Sequence, residues 1–199
     1  MNCIERGCNS NLLVSLDTKL GEARIISIEG AIDRAMANEF RKQMLYLNRE
    51  STTDPIIICI NSPGGEISQG LAMYDIICGS IAPVTLVCTG EAYSMAAILL
   101  ACGKPEHGRY MLPNSKVMIH EPLIQGGVGG KTSSIKSISD TMLETRRKLN
   151  GILARHTGHT LEEIDEATSY DHYFTAEEAV EYGLCDRIVD FSFLIKEVH

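Results

Sequence analysis

Residues 56–65 of this 199-residue chain read Ile-Ile-Ile-Cys-Ile-Asn-Ser-Pro-Gly-Gly, and they give the clearest indication of the fold class. Its first half, Ile56 to Ile60, is too short for a globular helix and rich in β-branched residues, which favours a strand buried on both faces. Its second half, Asn61 to Gly65, combines residue types that break regular structure. The stretch therefore predicts a buried parallel strand that ends in a tight loop.

Similar units lie on both sides of this strand, and each combines an apolar strand with a helically spaced apolar pattern. The predicted elements are a strand from Ile25 that ends at Gly30, a helix over 35–48, a helix carrying Ile67, Leu71 and Ile77, a strand over Val84–Cys88 with a turn at Gly90, a helix over Ser94–Ala101 and a strand over Lys116–Ile119. Alternating strands and helices are typical of an α/β protein with a mainly parallel sheet.

The two ends of this pattern differ from its middle. Residues 1–22 show no sustained periodicity, and we interpret 1–23 as an N-terminal arm or short axial segment of irregular structure. Residues 24–199 are interpreted as one domain, because the sequence shows no internal repeat. Glycines between 126 and 130 predict a flexible loop that leaves the core. The long helix predicted at 134–155 projects from the core, which suits contact with other copies of the chain.

Composition excludes several function classes. The chain has 18 basic and 26 acidic residues, a net charge of −8, which repels a phosphate backbone and predicts no nucleic-acid partner. Seven cysteines, an odd number, indicate free thiols in a reducing cytoplasm. Cys3 and Cys8 lack a second ligand pair, so we expect no zinc site. The N-terminus has no signal-peptide pattern and no apolar run approaches about 18 residues, so we expect no membrane association.

Three polar features follow the predicted strands, at the edge of the sheet where ligand and catalytic groups gather. They are the Asn61–Gly65 loop, Ser94 and His120. Ser94 opens an apolar helix, so its hydroxyl is either a helix N-cap or a nucleophile at the positive end of the helix dipole. His120 is either a structural histidine whose hydrogen bonds are made within the core, or an ionisable group that a buried strand places at the site.

Asp171 and the glycine pair complete the set of candidate residues. Thr175, with Glu178 three residues later, is the better N-cap of the following helix, which leaves Asp171 available for another task or as a simple turn residue. Gly64-Gly65 is either a bare turn or a place where backbone N–H groups approach an oxyanion. With the serine and histidine, these residues supply a nucleophile, a base, an orienting acid and oxyanion donors. The Ser, His, Asp chain order differs from that of α/β-hydrolases.

The chain resembles the ClpP family, the self-compartmentalising serine peptidases that form the proteolytic subunit of the Clp protease. The resemblance extends from about Arg24 to Asp190. It is carried, in order, by Ile60–Gly65, Ala92–Met95, Arg109 with Leu112–Pro122, His156–Gly158, Asp171 and Ala176–Asp186. It implies a ClpP/crotonase-like α/β fold of stacked, mainly parallel β-α units, with a protruding handle helix within about 123–157.

The same resemblance implies a role for each candidate residue. Ser94 corresponds to the nucleophile, His120 to the general base and Asp171 to the residue that orients the imidazole. The backbone N–H groups of Gly65 and Met95 correspond to the oxyanion hole. The implied activity is that of a serine endopeptidase that cleaves peptide bonds through an acyl-enzyme.

The resemblance also implies partners. The expected assembly is two stacked heptameric rings, a tetradecamer, that enclose a chamber and degrade unfolded polypeptides to short peptides. An AAA+ unfoldase of the ClpX, ClpA or ClpC type would feed the chamber. Only that unfoldase uses ATP, so we expect no cofactor and no metal in this chain.

Several positions depart from the family pattern. The segment before Arg24 is unlike the usual N-terminus, and Ser169-Tyr170 replaces the Asp-Arg pair that commonly precedes the catalytic aspartate. Tyr93 replaces a small residue and Glu91 replaces the usual Gln, which predicts an altered substrate preference. The N-terminus and Ser169-Tyr170 favour one alternative function, a ClpP-like regulatory or structural subunit of a mixed ring that needs a paralogue for activity. The other alternative is a crotonase-like acyl-CoA enzyme, because the related crotonase fold also uses paired backbone N–H donors against an oxyanion.

Overall fold

A computed structural model shows an α/β protein, and it describes residues 2–6, 11–104, 107–123 and 131–196. The strands are β1 (Asn2–Arg6), β2 (Asn11–Ser15), β3 (Ile25–Glu29), β4 (Ile56–Ser62), β5 (Val84–Tyr93), β6 (Arg109–Met111), β7 (Lys116–Ile119), β8 (His172–Phe174) and β9 (Arg187–Ile188). The helices are α1 (Leu16–Glu22), α2 (Arg34–Glu50), α3 (Ile67–Cys78), α4 (Met95–Ala101), α5 (Thr132–Thr157), α6 (Leu161–Ala167), α7 (Ala176–Glu181) and α8 (Ser192–Lys196). The fold class predicted from the sequence is confirmed.

The main sheet has a parallel centre that branches. Strands β3, β4, β5, β6 and β9 lie side by side in that order, and all neighbours in this row are parallel. β5 is ten residues long, so its first half pairs with β6 while its second half pairs with β7. β8 then adds to β7 in the antiparallel direction. The branch brings the ends of β4, β5 and β7 to one edge of the sheet.

The elements predicted from apolar periodicity are present, with two differences. β5 continues through Gly90, because the side-chain oxygen of Asn61 accepts the N–H of Glu91 at 3.2 Å and holds the strand against β4. The predicted turn at Gly90 is therefore wrong. The strands β6, β8 and β9 contain only two or three residues, too few to show a period, and were not predicted.

The N-terminal segment contains regular structure. β1 and β2 form an antiparallel hairpin that is a separate two-stranded sheet. α1 follows directly, and the Oγ of Ser15 accepts the N–H of Thr18 at 3.0 Å as its N-cap. The expectation of irregular structure over 1–22 is therefore wrong for the part of this segment that the structure describes. The predicted glycine-rich excursion at 126–130 lies outside the described residues.

α4 lies at the centre of the hydrophobic core. All seven of its residues are buried, as the uniformly apolar sequence of this helix requires. α3 and the C-terminal part of α5 pack against it, the latter through Leu149, Ile152 and Leu153. This packing fixes the position of the N-terminus of α4 at the branched edge of the sheet. None of the described helices is both long and apolar enough to cross a membrane.

Candidate active site

Ser94 lies at the junction between β5 and α4. Its φ of 54° and ψ of −119° are unusual for a residue with a side chain, a conformation that costs about 1–3 kcal/mol. The surrounding structure imposes it, because the Ser94 N–H donates to the carbonyl of Met118 on β7 at 2.8 Å. Ser94 occupies the N-cap position of α4, yet its hydroxyl makes no capping hydrogen bond. The Oγ lies 2.8 Å from Nε2 of His120 instead.

His120 and Asp171 meet because of the register between β7 and β8. The antiparallel pairing sets Ile119 opposite His172, so the residue after Ile119 lies beside the residue before His172. Nδ1 of His120 is 3.0 Å from Oδ1 of Asp171. The imidazole is 15% exposed and the carboxylate 61%, so the pair lies at the rim of the site.

The hydrogen bonds fix the tautomer of the neutral imidazole. A carboxylate can only accept, so Nδ1 of His120 carries the hydrogen and donates it to Asp171. The lone pair of Nε2 therefore faces Ser94, and the hydroxyl donates to it. This arrangement can remove the proton of the Ser94 hydroxyl and stabilise the imidazolium that results.

The chain around Asp171 is held by bonds that leave its carboxylate available. Thr175 and Glu178 form the predicted capping box of α7, with each side chain bonded to the backbone N–H of the other residue. The backbone N–H of Glu121 donates to the carbonyl of Thr168 at 2.7 Å and joins the segments that carry the histidine and the aspartate. The capping of α7 is thus independent of Asp171, as the sequence predicts.

Backbone hydrogen bonds to Ile32 fix the orientation of Gly65. The N–H of Ile32 donates to the carbonyl of Gly64, and the N–H of Glu66 donates to the carbonyl of Ile32, both at 2.8 Å. These bonds use the two residues that flank Gly65, so the N–H of Gly65 points away from Ile32. Met95 begins α4, and its N–H belongs to the first turn, which has no intrahelical acceptor. Gly65 and Met95 both line the same cleft as Ser94.

Neither glycine can be replaced without displacement of the backbone. A Cβ on Gly65 would overlap the backbone of Ile32. A Cβ on Gly64, whose φ is 90°, would lie 2.6 Å from the carbonyl oxygen of Tyr93 and 2.9 Å from the Cβ of Ser94. The loop therefore approaches the Ser94 junction at a distance that only glycine permits.

An open cleft of about 790 Å³ runs past Ser94 and His120. Side chains from α3, α4 and α5 give it a largely apolar lining, and these include Ile67, Met95, Ile98, Leu149 and Leu153. Two acidic residues, Asp33 and Glu66, also line it. Such a cleft can hold an extended chain whose apolar side chains face the helices.

Tyr93, the bulky residue next to Ser94, belongs to an aromatic pair. Its ring packs edge to face against Tyr173, with ring centroids 5.6 Å apart. The two rings come from either side of Met118, because the strand register aligns all three residues. Burial raises the pKa of the Tyr93 phenol, so it stays neutral and cannot act as a base at neutral pH.

The described thiols are poor alternatives to the Ser94 hydroxyl. Burial raises the pKa of Cys59 and of Cys88 to about 11, and that of Cys185 to about 12. A hydrogen bond with Cys102 lowers the pKa of Cys78 to about 6, but Cys78 ends α3 and lies outside the residues that line the cleft. Within the described ranges, no three His, Cys, Asp or Glu side chains form a cluster that could hold a metal ion.

A family model described as Clp protease matches residues 9–192, well over half of the chain. The chain belongs to the Clp protease family. Membership of the Clp protease family makes it a ClpP-like member of a peptidase family and confirms the resemblance derived from the sequence motifs. It favours neither the acyl-CoA enzyme nor the regulatory subunit considered as alternatives.

Sequence reasoning missed three residues that shape this Clp protease site. Ile32 pairs with the glycine loop, the carbonyl of Met118 anchors Ser94, and Asn150 lines the cleft from α5. The first two act through their backbones across long sequence separations, and no local pattern signals that. Asn150 had a visible signal, because it is a polar residue on the apolar face of a predicted helix.

Proposed function

We propose that this protein is a serine endopeptidase that cleaves unfolded polypeptides inside an oligomeric chamber. The observation that carries the proposal is the continuous hydrogen-bonded chain from the Ser94 hydroxyl through His120 to Asp171. The strained backbone of Ser94 supports it, because strain of this kind clusters at functional sites.

In the proposed reaction, Oγ of Ser94 attacks the carbonyl carbon of the scissile peptide bond. Its proton passes to Nε2 of His120, and Asp171 stabilises the imidazolium through Nδ1–H. The N–H groups of Gly65 and Met95 donate hydrogen bonds to the carbonyl oxygen and stabilise its negative charge. His120 then protonates the leaving amine, which departs as the C–N bond breaks and leaves Ser94 acylated.

Deacylation repeats these steps with water. His120 takes a proton from a water molecule that attacks the ester carbonyl, and returns the proton to Oγ of Ser94 as the ester C–O bond breaks. A base of this kind contributes about 10²- to 10⁴-fold, and removal of one oxyanion donor costs about 10²- to 10³-fold. Both contributions require the alignment that the junction of β5 and α4 provides.

Assembly and partners form the second part of the proposal. α5 exposes Ile135, Ile138 and Leu143 over its N-terminal half, and exposed apolar residues along one helix suit contact with another copy of the chain. Family membership supports stacked heptameric rings and an AAA+ unfoldase of the ClpX, ClpA or ClpC type, the only component that would use ATP. The five cysteines that the structure describes as free thiols support a cytoplasmic location.

Labelling with a fluorophosphonate serine probe tests the proposal. The wild-type protein should be labelled at Ser94, in a large assembly on native mass measurement, and Ser94→Ala should not be labelled. Ser68→Ala is the matched control, because Ser68 lies exposed in the same cleft without contact to His120, and it should label like the wild type. Labelling that persists in Ser94→Ala would refute the assignment of the nucleophile.

A further inference from the structure

Cys78 and Cys102 form a pair of free thiols outside the cleft. Cys78 is the last residue of α3, and Cys102 is the C-cap residue of α4. α3 packs against α4, and the two thiols share a side-chain hydrogen bond, so the carboxyl ends of the two helices meet at this pair. Neither cysteine lines the cleft that holds Ser94, and the proposed reaction uses neither of them.

The two cysteines differ in their exposure to solvent. Cys102 is 3% exposed and belongs to the hydrophobic core. Cys78 packs against that core but is only partly buried. A narrow crevice lined by Ile77, Cys102 and Lys104 lies beside the pair. The pair thus has one member open to small solutes and one member protected behind it.

The surroundings of Cys78 favour its thiolate form. The hydrogen bond with Cys102 is the largest effect, and it lowers the pKa of Cys78 to about 6 against the opposing effect of burial. The Tyr74 hydroxyl and the charge of Lys104 also lower this pKa, while the charge of Asp75 raises it. The hydrogen bond and burial raise the pKa of Cys102 well above its ordinary value. Since the thiolate is the nucleophile, Cys78 is the member that reacts first.

The thiol hydrogen of Cys102 has two possible acceptors. Its Sγ lies 3.1 Å from the carbonyl oxygen of Leu99 and also contacts Cys78. A charged acceptor forms the stronger hydrogen bond, so the hydrogen turns to Cys78 when that residue is ionised. The carboxyl end of α3 opposes a negative charge at Cys78. Cys102 is therefore the group on which the thiolate depends.

We propose that Cys78 and Cys102 are a peroxide-sensitive site, in which a hydroperoxide oxidises Cys78 and Cys102 then closes a reversible disulfide between α3 and α4. Disulfides inside a reducing compartment are usually transient and redox-sensing, which fits a pair with one accessible thiol. This inference goes beyond the proposed peptidase function and does not depend on it.

The chemistry takes two steps. The Cys78 thiolate attacks one oxygen of the hydroperoxide, the O–O bond breaks, and Cys78 becomes a sulfenic acid while the other oxygen leaves as an alcohol or water. The sulfur of Cys102 then attacks the sulfur of Cys78. The S–S bond forms as the S–OH bond breaks, and the departing hydroxide takes the thiol hydrogen of Cys102 and leaves as water. The two thiols lose two electrons, which reduce the peroxide.

Mass spectrometry after oxidation tests the proposal. The reduced full-length protein is treated with one molar equivalent of hydrogen peroxide, alkylated and digested without reductant. The peptides that contain Cys78 and Cys102 should be found linked, with a loss of about 2 Da for the two hydrogens, and dithiothreitol should separate them. Peroxide treatment that links other cysteines, or that leaves these two unlinked, would overturn the inference.

Variants at each member separate the two steps. Cys78→Ser should abolish the linked peptide. Cys102→Ser keeps a hydrogen-bond donor but cannot form the bridge, so dimedone should trap the sulfenic acid at Cys78 in this variant. Cys59→Ser is the matched control, because Cys59 is also a partly buried free thiol, and it should link Cys78 to Cys102 as the wild type does. Dimedone trapping at Cys102 instead of Cys78 would reverse the proposed roles and contradict the inference.

The pH profile of alkylation tests the role of Cys102. The rate at which iodoacetamide modifies Cys78 should rise about tenfold between pH 5 and 7 and level off by pH 8, as a pKa of about 6 requires. Cys102→Ser should keep this profile, and Cys102→Ala, which lacks the donor, should shift it to higher pH. A wild-type rate that still rises about tenfold between pH 7 and 8 would show an ordinary thiol and overturn the assignment of Cys78 as the reactive member.

Discussion

At the scale of single residues, Asp171 is the member of the hydrogen-bonded chain that can be altered with least effect on folding. Its carboxylate is 61% exposed and its partner is Nδ1 of His120. An asparagine there presents an N–H₂ group or an amide oxygen, and no longer enforces the tautomer whose Nε2 lone pair faces Ser94. Asp171→Asn should slow fluorophosphonate labelling of Ser94 by about 10³- to 10⁴-fold, measured as the rate of probe incorporation.

The control for this variant is Asp54→Asn, which removes an exposed carboxylate from the loop before β4. It should label at the wild-type rate. Circular dichroism should show that both variants keep the wild-type fold. Labelling of Asp171→Asn at a rate close to that of the wild type would mean that Asp171 does not orient His120.

The sequence predicts the residue types of the site better than their geometry. The sequence around Ser94 leaves a helix cap and a nucleophile as alternatives, because both place a serine before an apolar helix. The outcome depends on the contact with His120, a residue 26 positions away whose place is set by the register of β7. By contrast, the capping box of Thr175 and Glu178 is local, and the spacing of the two residues was enough to predict it.

At the scale of elements, α3 and α5 are joined by a hydrogen bond between Tyr74 and His156. The Oη of Tyr74 is 3.0 Å from Nε2 of His156. Burial, followed by the nearby charges of Arg109 and Arg155, lowers the pKa of His156 below its ordinary value of 6.5. Burial also raises the pKa of Tyr74 to about 12, so the phenol stays neutral and can donate to the imidazole.

The lowered pKa of His156 predicts how stability depends on pH. Between its lowered folded pKa and 6.5, the unfolded chain binds more protons at His156 than the folded chain does. This contribution to the free energy of unfolding is therefore complete above pH 6.5 and is lost as the pH falls towards the folded pKa. The Tm should fall between pH 7.5 and 5, and the fall should be smaller in His156→Gln than in the wild type.

His107→Gln is the control, because it removes another imidazole from outside this contact. It should keep the wild-type difference in Tm between the two pH values. An equal fall in Tm for His156→Gln and the wild type would show that folding does not change the pKa of His156. Thermal unfolding followed by circular dichroism in matched buffers is sufficient for the comparison.

Elements were predictable where their side chains alternate between core and solvent over enough residues. α2 begins at Arg34 and ends at Glu50, close to the predicted helix over 35–48, because its buried residues recur at helical spacing. β8 has three residues and exists through its pairing with β7, so its own sequence has too little pattern to indicate it. The N-terminal hairpin is likewise defined by the pairing of β1 with β2.

At the scale of the whole molecule, a single copy of the chain does not explain the length and the exposed apolar side chains of α5. It has 26 residues and is about 39 Å long, and its buried residues begin only at Leu149. Ile135 and Ile138 lie one turn apart on the preceding half and are 44% and 36% exposed. Apolar side chains on a projecting helix are stabilised when a second copy covers them, so we expect this half of α5 to be an assembly surface.

Negative charges in place of Ile135 and Ile138 should therefore break the assembly and leave the fold of the single chain unchanged. The double variant Ile135→Glu, Ile138→Glu should give a smaller native mass than the wild type, with a circular dichroism spectrum unchanged. Ser137→Glu adds a charge on the opposite side of the same helix and should keep the wild-type mass. If the double variant assembles like the wild type, this half of α5 is not an interface. If it dissociates and Ser94 still reacts with the fluorophosphonate probe at the wild-type rate, the site is complete within one chain, as the hydrogen bonds of His120 suggest.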